Sequence, residues 1–384
     1  MDFIYNEEQK MLKDSIKKFT ENEIAPYSQE WEENLYFPKE VMKKLGDQGY
    51  LAIPYPEKYN GMALGYQEYI IVLEEIAKHS AALAIAVAVN GLPQLIIDKF
   101  GNEAQKEKYL PKLSTGEFIG GFALTEPDFG SDAKNIKTTA KKDGDSYILK
   151  GNKRFISQGN VADIFIVLAK TDNTGSSNDI SAFILEKGTP GFSSGKHERK
   201  MGLNSSPTCE LYFDDVKIPA ENLVGELGMG FKIAMIALDS GRITIGSTAI
   251  GVSQGAIDNA SKYALERKQF GKAIAEFQGV SFMLADMITK TDAARLLVQR
   301  AAFLKDNNLP LSKEAAMAKL FSTDTAMSVT TDAVQIFGGN GYMIDYPVER
   351  FMRESKVLQI VEGTNQIQRV VISRLLLKEY IKFM

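Results

Sequence analysis

One carboxylate in this sequence has surroundings suited to proton transfer. Glu362 sits in the run Gln359-Ile360-Val361-Glu362-Gly363-Thr364, an apolar stretch that ends in glycine. Such flanks imply partial burial, and desolvation favours the neutral acid, which raises a carboxyl pKa toward the range of a useful base. Four further segments combine ligand-capable residues with irregular backbone. Leu124-Thr125-Glu126-Pro127-Asp128-Phe129-Gly130-Ser131-Asp132 offers hydroxyls and N–H groups around Pro127 and Gly130. Phe155-Ile156-Ser157-Gln158-Gly159 follows a strand and places an aromatic two residues before a hydroxyl, a pairing that can flank a flat ring. In Leu238-Asp239-Ser240-Gly241-Arg242, Asp239 and Arg242 share a helix face. Arg267-Lys268-Gln269-Phe270-Gly271-Lys272 is a basic loop able to meet phosphates through Arg267. Each segment also fits a plainer role: a helix-start Glu bonded to an amide, a capped turn, a strand end, a surface ion pair, a solvated loop.

Other motifs are excluded. Gly191-Phe192-Ser193-Ser194-Gly195 matches G-x-S-x-G, but it lacks the strand-to-helix context and a suitable histidine, since only His79 and His197 exist; it reads as a turn. No Walker A or G-x-G-x-x-G occurs, and the runs Gly225–Gly230 and Gly338–Gly341 are spaced wrongly for one. With a single cysteine, Cys209, no internal disulfide and no cysteine-based metal site is possible, and no metal is expected.

The elements that must position these residues fall into three regions over 384 residues. Residues 1–120 read as helical, with Met11, Ile16, Phe19 and Ile24 as one apolar face and further helices at Tyr69–Lys78 and Ala81–Val89. Residues 121–230 carry β-rich runs at Ser146–Leu149, Ile164–Leu168, Ile180–Leu185 and Glu210–Phe213. Turn clusters at Lys142–Asp145 and Asp172–Asp179 separate them, which implies an antiparallel barrel or sandwich. Residues 231–384 return to the helical period. One amphipathic helix runs through Phe282, Leu284, Ala285, Ile288, Ala293, Leu296, Leu297 and Arg300. Others span Lys313–Ile336 and Gln366–Phe383, together an antiparallel bundle. The net charge of −4, with both signs interspersed, argues against a nucleic-acid partner. The longest apolar run, Ala81–Val89, is too short to span a bilayer, so no membrane association is expected. The start Met1–Glu8 is unlike a signal peptide, which suggests a cytoplasmic protein, with a mitochondrial matrix origin after transit-peptide removal left open.

The segments also occur together and in order. Phe122-Ala123-Leu124-Thr125-Glu126-Pro127, Phe155-Ile156-Ser157, Arg267-Lys268-Gln269-Phe270-Gly271, Gln335-Ile336-Phe337-Gly338-Gly339-Asn340-Gly341-Tyr342 and Glu362-Gly363-Thr364-Asn365-Gln366-Ile367-Gln368-Arg369 resemble the acyl-CoA dehydrogenases over nearly the whole chain. The resemblance implies an α+β fold with an N-terminal helical domain (1–120), a middle β-domain (121–230) and a C-terminal four-helix bundle (231–384). It implies FAD as cofactor, an acyl-CoA substrate, a homotetramer in which neighbours complete each flavin site, and an electron-transferring flavoprotein as acceptor. A place in fatty-acid β-oxidation or branched-chain amino-acid breakdown follows from the same resemblance.

Carried over by motif, Phe122, Ala123, Leu124, Thr125 and Ser131, with Phe155, Ile156 and Ser157, would hold the isoalloxazine ring. Thr364 and Gln366 would bind the rest of FAD. Arg267, Phe270, Gln278, Gln335, Gly338 and Gly339 would reach its phosphate and adenine portion, mostly across a subunit boundary. Ser131, Asp239, Arg242 and Gly363 would contact acyl-CoA. Glu362 would take the α-proton while hydride leaves for the flavin, its own N–H and a ribityl hydroxyl holding the thioester oxygen. Some subfamilies carry the base near Asp239; here Gly241 stands there, which leaves position 362. Phe155 replaces the Trp of many members and Gln158 the Asn. With Gly202–Thr208 and Ser240–Ile243 these changes look like short-chain and isobutyryl-CoA-type enzymes. Two rivals remain at this stage: a flavin oxidase of the same fold using O2, and a non-catalytic helical interaction module.

Overall fold

The computed structural model describes residues 4–172 and 177–381. The N-terminal region holds α1 (Glu7–Glu23), α2 (Ser28–Glu33), α3 (Lys39–Asp47), α4 (Tyr66–Ala77), α5 (Ala81–Phe100) and α6 (Glu103–Ser114). Helix α1 starts where Asn6 and Gln9 cap one another reciprocally. Ile16 and Ile24 are fully buried and Phe19 packs on the core, but Met11 is 72% exposed. Met11 stands five positions before Ile16, which turns it roughly 140° off the buried face.

Helix α5 does not stop at Val89. It continues through Asn90, Gly91 and Pro93 to Phe100. Tertiary hydrogen bonds outweigh the breaker residues: Tyr69 and Tyr55 donate to the Val87 and Gly91 carbonyls, and Gln94 donates to Leu51 O. At 20 residues α5 is long and apolar enough to cross a membrane, as is the helix Gly230–Glu266, but most of each is buried inside the protein.

The middle region forms one eight-stranded sheet: β1 (Gly120–Ala123), β2 (Thr139–Asp143), β3 (Ser146–Ser157), β4 (Ile164–Lys170), β5 (Ile180–Glu186), β6 (Phe192–Ser194), β7 (Thr208–Pro219) and β8 (Leu223–Val224). The order is β6-β7-β3-β2-β4-β5-β8, with β1 beside β4. Antiparallel pairing dominates as expected, except that β1 and β2 both run parallel to β4, Gly120 opposite Ile164 and Thr139 opposite Lys170. The β2–β3 hairpin supplies the crossover that parallel pairing requires. The Gly191–Gly195 segment is not a turn: β6 pairs with β7 along the sheet edge, entered through Gly191 at φ +83°. Of the Asp172–Asp179 turn cluster, residues 173–176 lie outside the described residues, as do Met1–Phe3.

The C-terminal region holds α7 (Gly230–Glu266), the small hairpin β9 (Lys268–Gln269) and β10 (Lys272–Ala273), α8 (Gln278–Asp306), α9 (Ser312–Phe337), α10 (Val348–Leu358) and α11 (Asn365–Ile381). Helices α7, α8 and α9 pack side by side, and α11 adds against α9. Lys382 and Phe383, the expected end of the last helix, lie outside the described residues. Helix α8 buries Met287, Thr291, Ala294, Val298, Ala301 and Ala302. Phe282 and Leu296, read from sequence as part of its inward face, are 61% and 46% exposed instead. The bundle is joined to the N-terminal region at two seams. Asp306 accepts the Tyr66 and Gln67 N–H groups and so caps α4 (2.6 and 3.0 Å). Gly251 and Gly255 let α7 close on α4: a Cβ there would lie 2.3 Å from Glu74 O and 2.4 Å from Lys78 O.

Candidate active site

Glu362 occupies the turn between α10 and α11. Its φ is +54° and that of Gly363 is +82°. Glycine accepts that region freely, whereas a glutamate there costs about 1 kcal/mol or more and must be held by its surroundings. Gln368 Nε2 donates to the Glu362 and Gly363 carbonyls (3.0 and 2.8 Å), and Lys319 Nζ donates to Gly363 O (3.0 Å). Thr364 Oγ1 accepts the Ile367 N–H, starting α11; Gln366 is exposed.

The expected burial falls on the carboxyl rather than on the whole run. Ile360 is half exposed, while Glu362 Oε2 is fully buried and has no hydrogen-bond partner. The carboxyl lies against Gly241 of α7, where a Cβ would come within 2.5 Å of Oε2. Burial pushes the Glu362 pKa up to about 7, against the opposing charges of Arg242 and Lys319. Among the described residues no acceptor takes the Glu362 N–H. Arg242 is buried, not a surface residue. It bonds to Asp239, which also accepts from Ser312 Oγ, and its Nε is buried without a partner.

A second cluster lies at the end of β1 and on β3. Phe122 and Ala123 close β1, and Leu124 is buried. The Leu124–Glu126 loop is held by Lys153 Nζ, which reaches Leu124 O (3.0 Å) and Glu126 Oε1 (2.9 Å). Burial draws Lys153 down to about 8, opposed by Glu126. Arg154 N donates to Thr125 O (2.8 Å). Phe155 projects from β3 at φ +57° with 61% of its surface exposed; Ile156 is buried and Ser157 partly so. Gln158 donates to Ala86 O of α5 (2.7 Å), while its Oε1 and the nearby Asn160 Oδ1 are buried without partners. Ser131 stands in an exposed loop.

The third cluster is elsewhere. Arg267, Phe270 and Gln278 surround the β9–β10 hairpin, and Gln335, Gly338 and Gly339 end α9. Arg267, Gln269, Gly338 and Gly339 line a cleft of about 360 Å³. A Cβ at Gly338 or Gly339 would meet nothing within 4 Å, so the backbone is open to a ligand. Arg242 stands on α7 and Arg267 caps the end of that unbroken helix, 25 positions and hence roughly 37 Å further along. The structure therefore gathers Glu362, Gly363, Asp239 and Arg242, and sets Arg267, Phe270 and the Gly338–Gly339 step far from them within one chain.

Three models of a single family match in sequence order: acyl-CoA dehydrogenase N-terminal domain at residues 6–117, middle domain at 121–216 and C-terminal domain at 228–377. An acyl-CoA dehydrogenase of Bacillus subtilis is 48% identical over 374 residues, 97% of this chain and 98% of that protein. The chain belongs to the acyl-CoA dehydrogenase family. It is thereby an oxidoreductase, with the helical ends and central sheet of that family. The chain is also similar to the acryloyl-CoA reductase (NADH) of Anaerotignum propionicum, 47% identical over 98% of this chain and 96% of that one. The solved butyryl-CoA dehydrogenase of Megasphaera elsdenii superposes with a TM-score of 0.96 at 45% identity, covering 98% of this chain and all of that one.

Two supporting residues escaped the sequence reading. Lys319 is fully buried; its signal was a lone charge in Ala315-Ala316-Met317-Ala318-Lys319, in register with Ala315, Ser322 and Ala326. Lys153 is fully buried on the same side of β3 as Tyr147 and Leu149, where strict alternation already placed it inward.

Proposed function

We propose that this chain is an FAD-dependent dehydrogenase of short straight or branched acyl-CoA thioesters, with Glu362 as the base that removes the α-proton. The observation that carries the reading is the buried, unpartnered Glu362 Oε2 facing the gap left by Gly241. A carboxyl held near neutral is matched to abstracting a weakly acidic C–H at physiological pH. The free Glu362 N–H supplies one donor for the thioester oxygen as charge builds there. Asp239, Arg242, Gly363 and Ser131 orient the CoA thioester, and packing of the acyl chain between Glu362 and the flavin excludes water.

The residues present fit FAD. Phe155, held outward in a left-handed backbone, and the orphaned Gln158 Oε1 and Asn160 Oδ1 suit the edge and face of a flat polar ring beside Phe122–Thr125, Ile156 and Ser157. Arg267, Gln335 and the bare Gly338–Gly339 backbone suit a diphosphate, with Phe270 and Gln278 beside them, and Thr364 and Gln366 serve the part between. When bound, FAD supplies the acceptor for the hydride that leaves Cβ. The roughly 37 Å between the two regions supports a site completed by the Arg267 cluster of a second copy, in a homotetramer. The nearly bare Phe270 (94% exposed) and the outer Phe282 and Leu296 support the same assembly. The units divide near residues 120 and 230, and an electron-transferring flavoprotein takes the electrons.

The similarity to an acryloyl-CoA reductase favours one second reading, operation toward the saturated thioester. Glu362, protonated, would then deliver its proton to Cα. The test is anaerobic addition of butyryl-CoA to the yellow protein. Loss of the flavin band near ~450 nm is expected, and none in Glu362→Gln; bleaching that survives the substitution refutes the assignment. Turnover across C4 to C16 acyl-CoAs with O2, dye or flavoprotein acceptors separates dehydrogenase from oxidase, and crotonyl-CoA with reduced protein reads the reverse direction.

A further inference from the structure

The turn that carries Glu362 rests on Lys319. This side chain has no exposed surface. Its Nζ donates to Gly363 O (3.0 Å) and Asn365 Oδ1 (2.8 Å). Asn365 Nδ2 donates in turn to Thr323 Oγ1 (3.0 Å) and Asp324 Oδ1 (2.7 Å). Asp324 also accepts from Gln359 (2.7 Å) and Arg369 (3.1 Å). Both ends of the 359–365 turn are thereby tied to one stretch of α9.

A methionine would fill the same space, and a glutamine would make similar bonds. A buried ammonium needs an anion to offset its desolvation. The charged groups around it are Glu362 of the turn, Asp324 of α9 and, as a second cation, Arg242 of α7. Asp324 already serves Asn365, Gln359 and Arg369, whereas Glu362 Oε2 has no partner.

We propose that Lys319 is a positioning residue for the base. Through the Gly363 carbonyl it fixes the left-handed backbone that aims the Glu362 carboxyl at Gly241, and through its charge it favours the ionised carboxyl against the burial that opposes it. Burial draws Lys319 down to about 7 and Glu362 up to about 7, each ion opposing the other's shift, so the two titrate as a pair. The proposal rests on the reading of Glu362 as the base.

The test follows the Glu362 carboxyl by infrared difference against Glu362→Gln in the flavin-loaded protein across pH 5 to 9, alongside the acid limb of kcat/KM. Lys319→Met is expected to move both midpoints upward by roughly one pH unit or more. Thr323→Val loosens the same turn without removing charge, and should leave the carboxyl midpoint in place. Coupling is reciprocal: the Lys319 amine, read by ¹⁵N NMR, should titrate lower in Glu362→Gln than in the parent protein. A folded Lys319→Met protein with both midpoints unmoved overturns the proposal. If Lys319→Met does not fold, an unmoved Lys319 titration in Glu362→Gln overturns it instead. Full activity of Glu362→Gln would defeat the base assignment alone, because the two titrations would still report whether the charges are coupled.

Discussion

Replacing Glu362 by glutamine should make the protein more stable and almost inactive. The fold favours the protonated carboxyl, because ionising it strands a charge on the buried Oε2. Its contribution to stability is therefore complete below the ordinary carboxylate pKa of 4.5 and is lost as pH rises through about 7. A rise from 4.5 to about 7 corresponds to about 3 kcal/mol at the high-pH plateau. Glutamine keeps the shape and never ionises. Urea unfolding of the flavin-loaded proteins at one fixed protein concentration should give nearly equal stabilities at pH 4.5. A growing advantage for Glu362→Gln should follow, reaching about 3 kcal/mol by pH 8. Turnover should fall at least ~10²-fold, the low end for losing a general base. A stability difference that stays flat between pH 4.5 and 8 would refute the reasoning, since the carboxyl would then feel the same medium folded and unfolded.

Three further outcomes follow from the geometry. Gly241→Ala places a methyl where only 2.5 Å separates it from Oε2, so the base must shift; kcat should fall by ~10² while FAD content stays unchanged, as read by absorbance and stopped flow. Lys153→Met strands the buried Glu126 and frees the Leu124 carbonyl. It should cost about 3–5 kcal/mol in unfolding experiments and release FAD on gel filtration, with Lys153→Met/Glu126→Gln recovering part of both. Mixing unfolded Arg267→Ala and Glu362→Gln chains and refolding them together should restore about a quarter of native activity if each site takes one cluster from each chain. No recovery would place both clusters of a site in one chain.

The long elements were legible because their apolar periods extend over many turns, as in α9. The end of α5 was not. Gly91 and Pro93 are local stop signals, and what overrules them is a set of bonds that no local pattern reveals: the Tyr55 and Tyr69 hydroxyls donate to helix carbonyls and the Gln94 amide donates to Leu51 O. Pairing direction for β1 was hidden for a similar reason, since Ile164 of β4 lies 44 residues beyond its partner Gly120. Phe282 and Leu296 misled because an apolar residue looks the same in sequence whether it faces the core or open surface. At the site, Glu362 stood out through its apolar flanks, and Gly241 through its contrast with the family pattern. The distance between Arg242 and Arg267 was not legible, because it depends on α7 running unbroken for 37 residues. Lys153 and Lys319 carried period signals that a reading focused on ligand-facing groups passes over.

The seam where α7 meets α4 bears on how this sequence can drift. At Gly251 and Gly255 any side chain, even a single methyl, would be driven into a carbonyl oxygen of the facing helix. The Glu74 oxygen cannot retreat without breaking its bond to the Lys78 N–H, which closes the last turn of α4. Random variation should consequently leave a sharp two-letter imprint four residues apart. Laboratory libraries seeking altered chain-length preference would do well to hold those two letters constant and spend their diversity nearer the thioester.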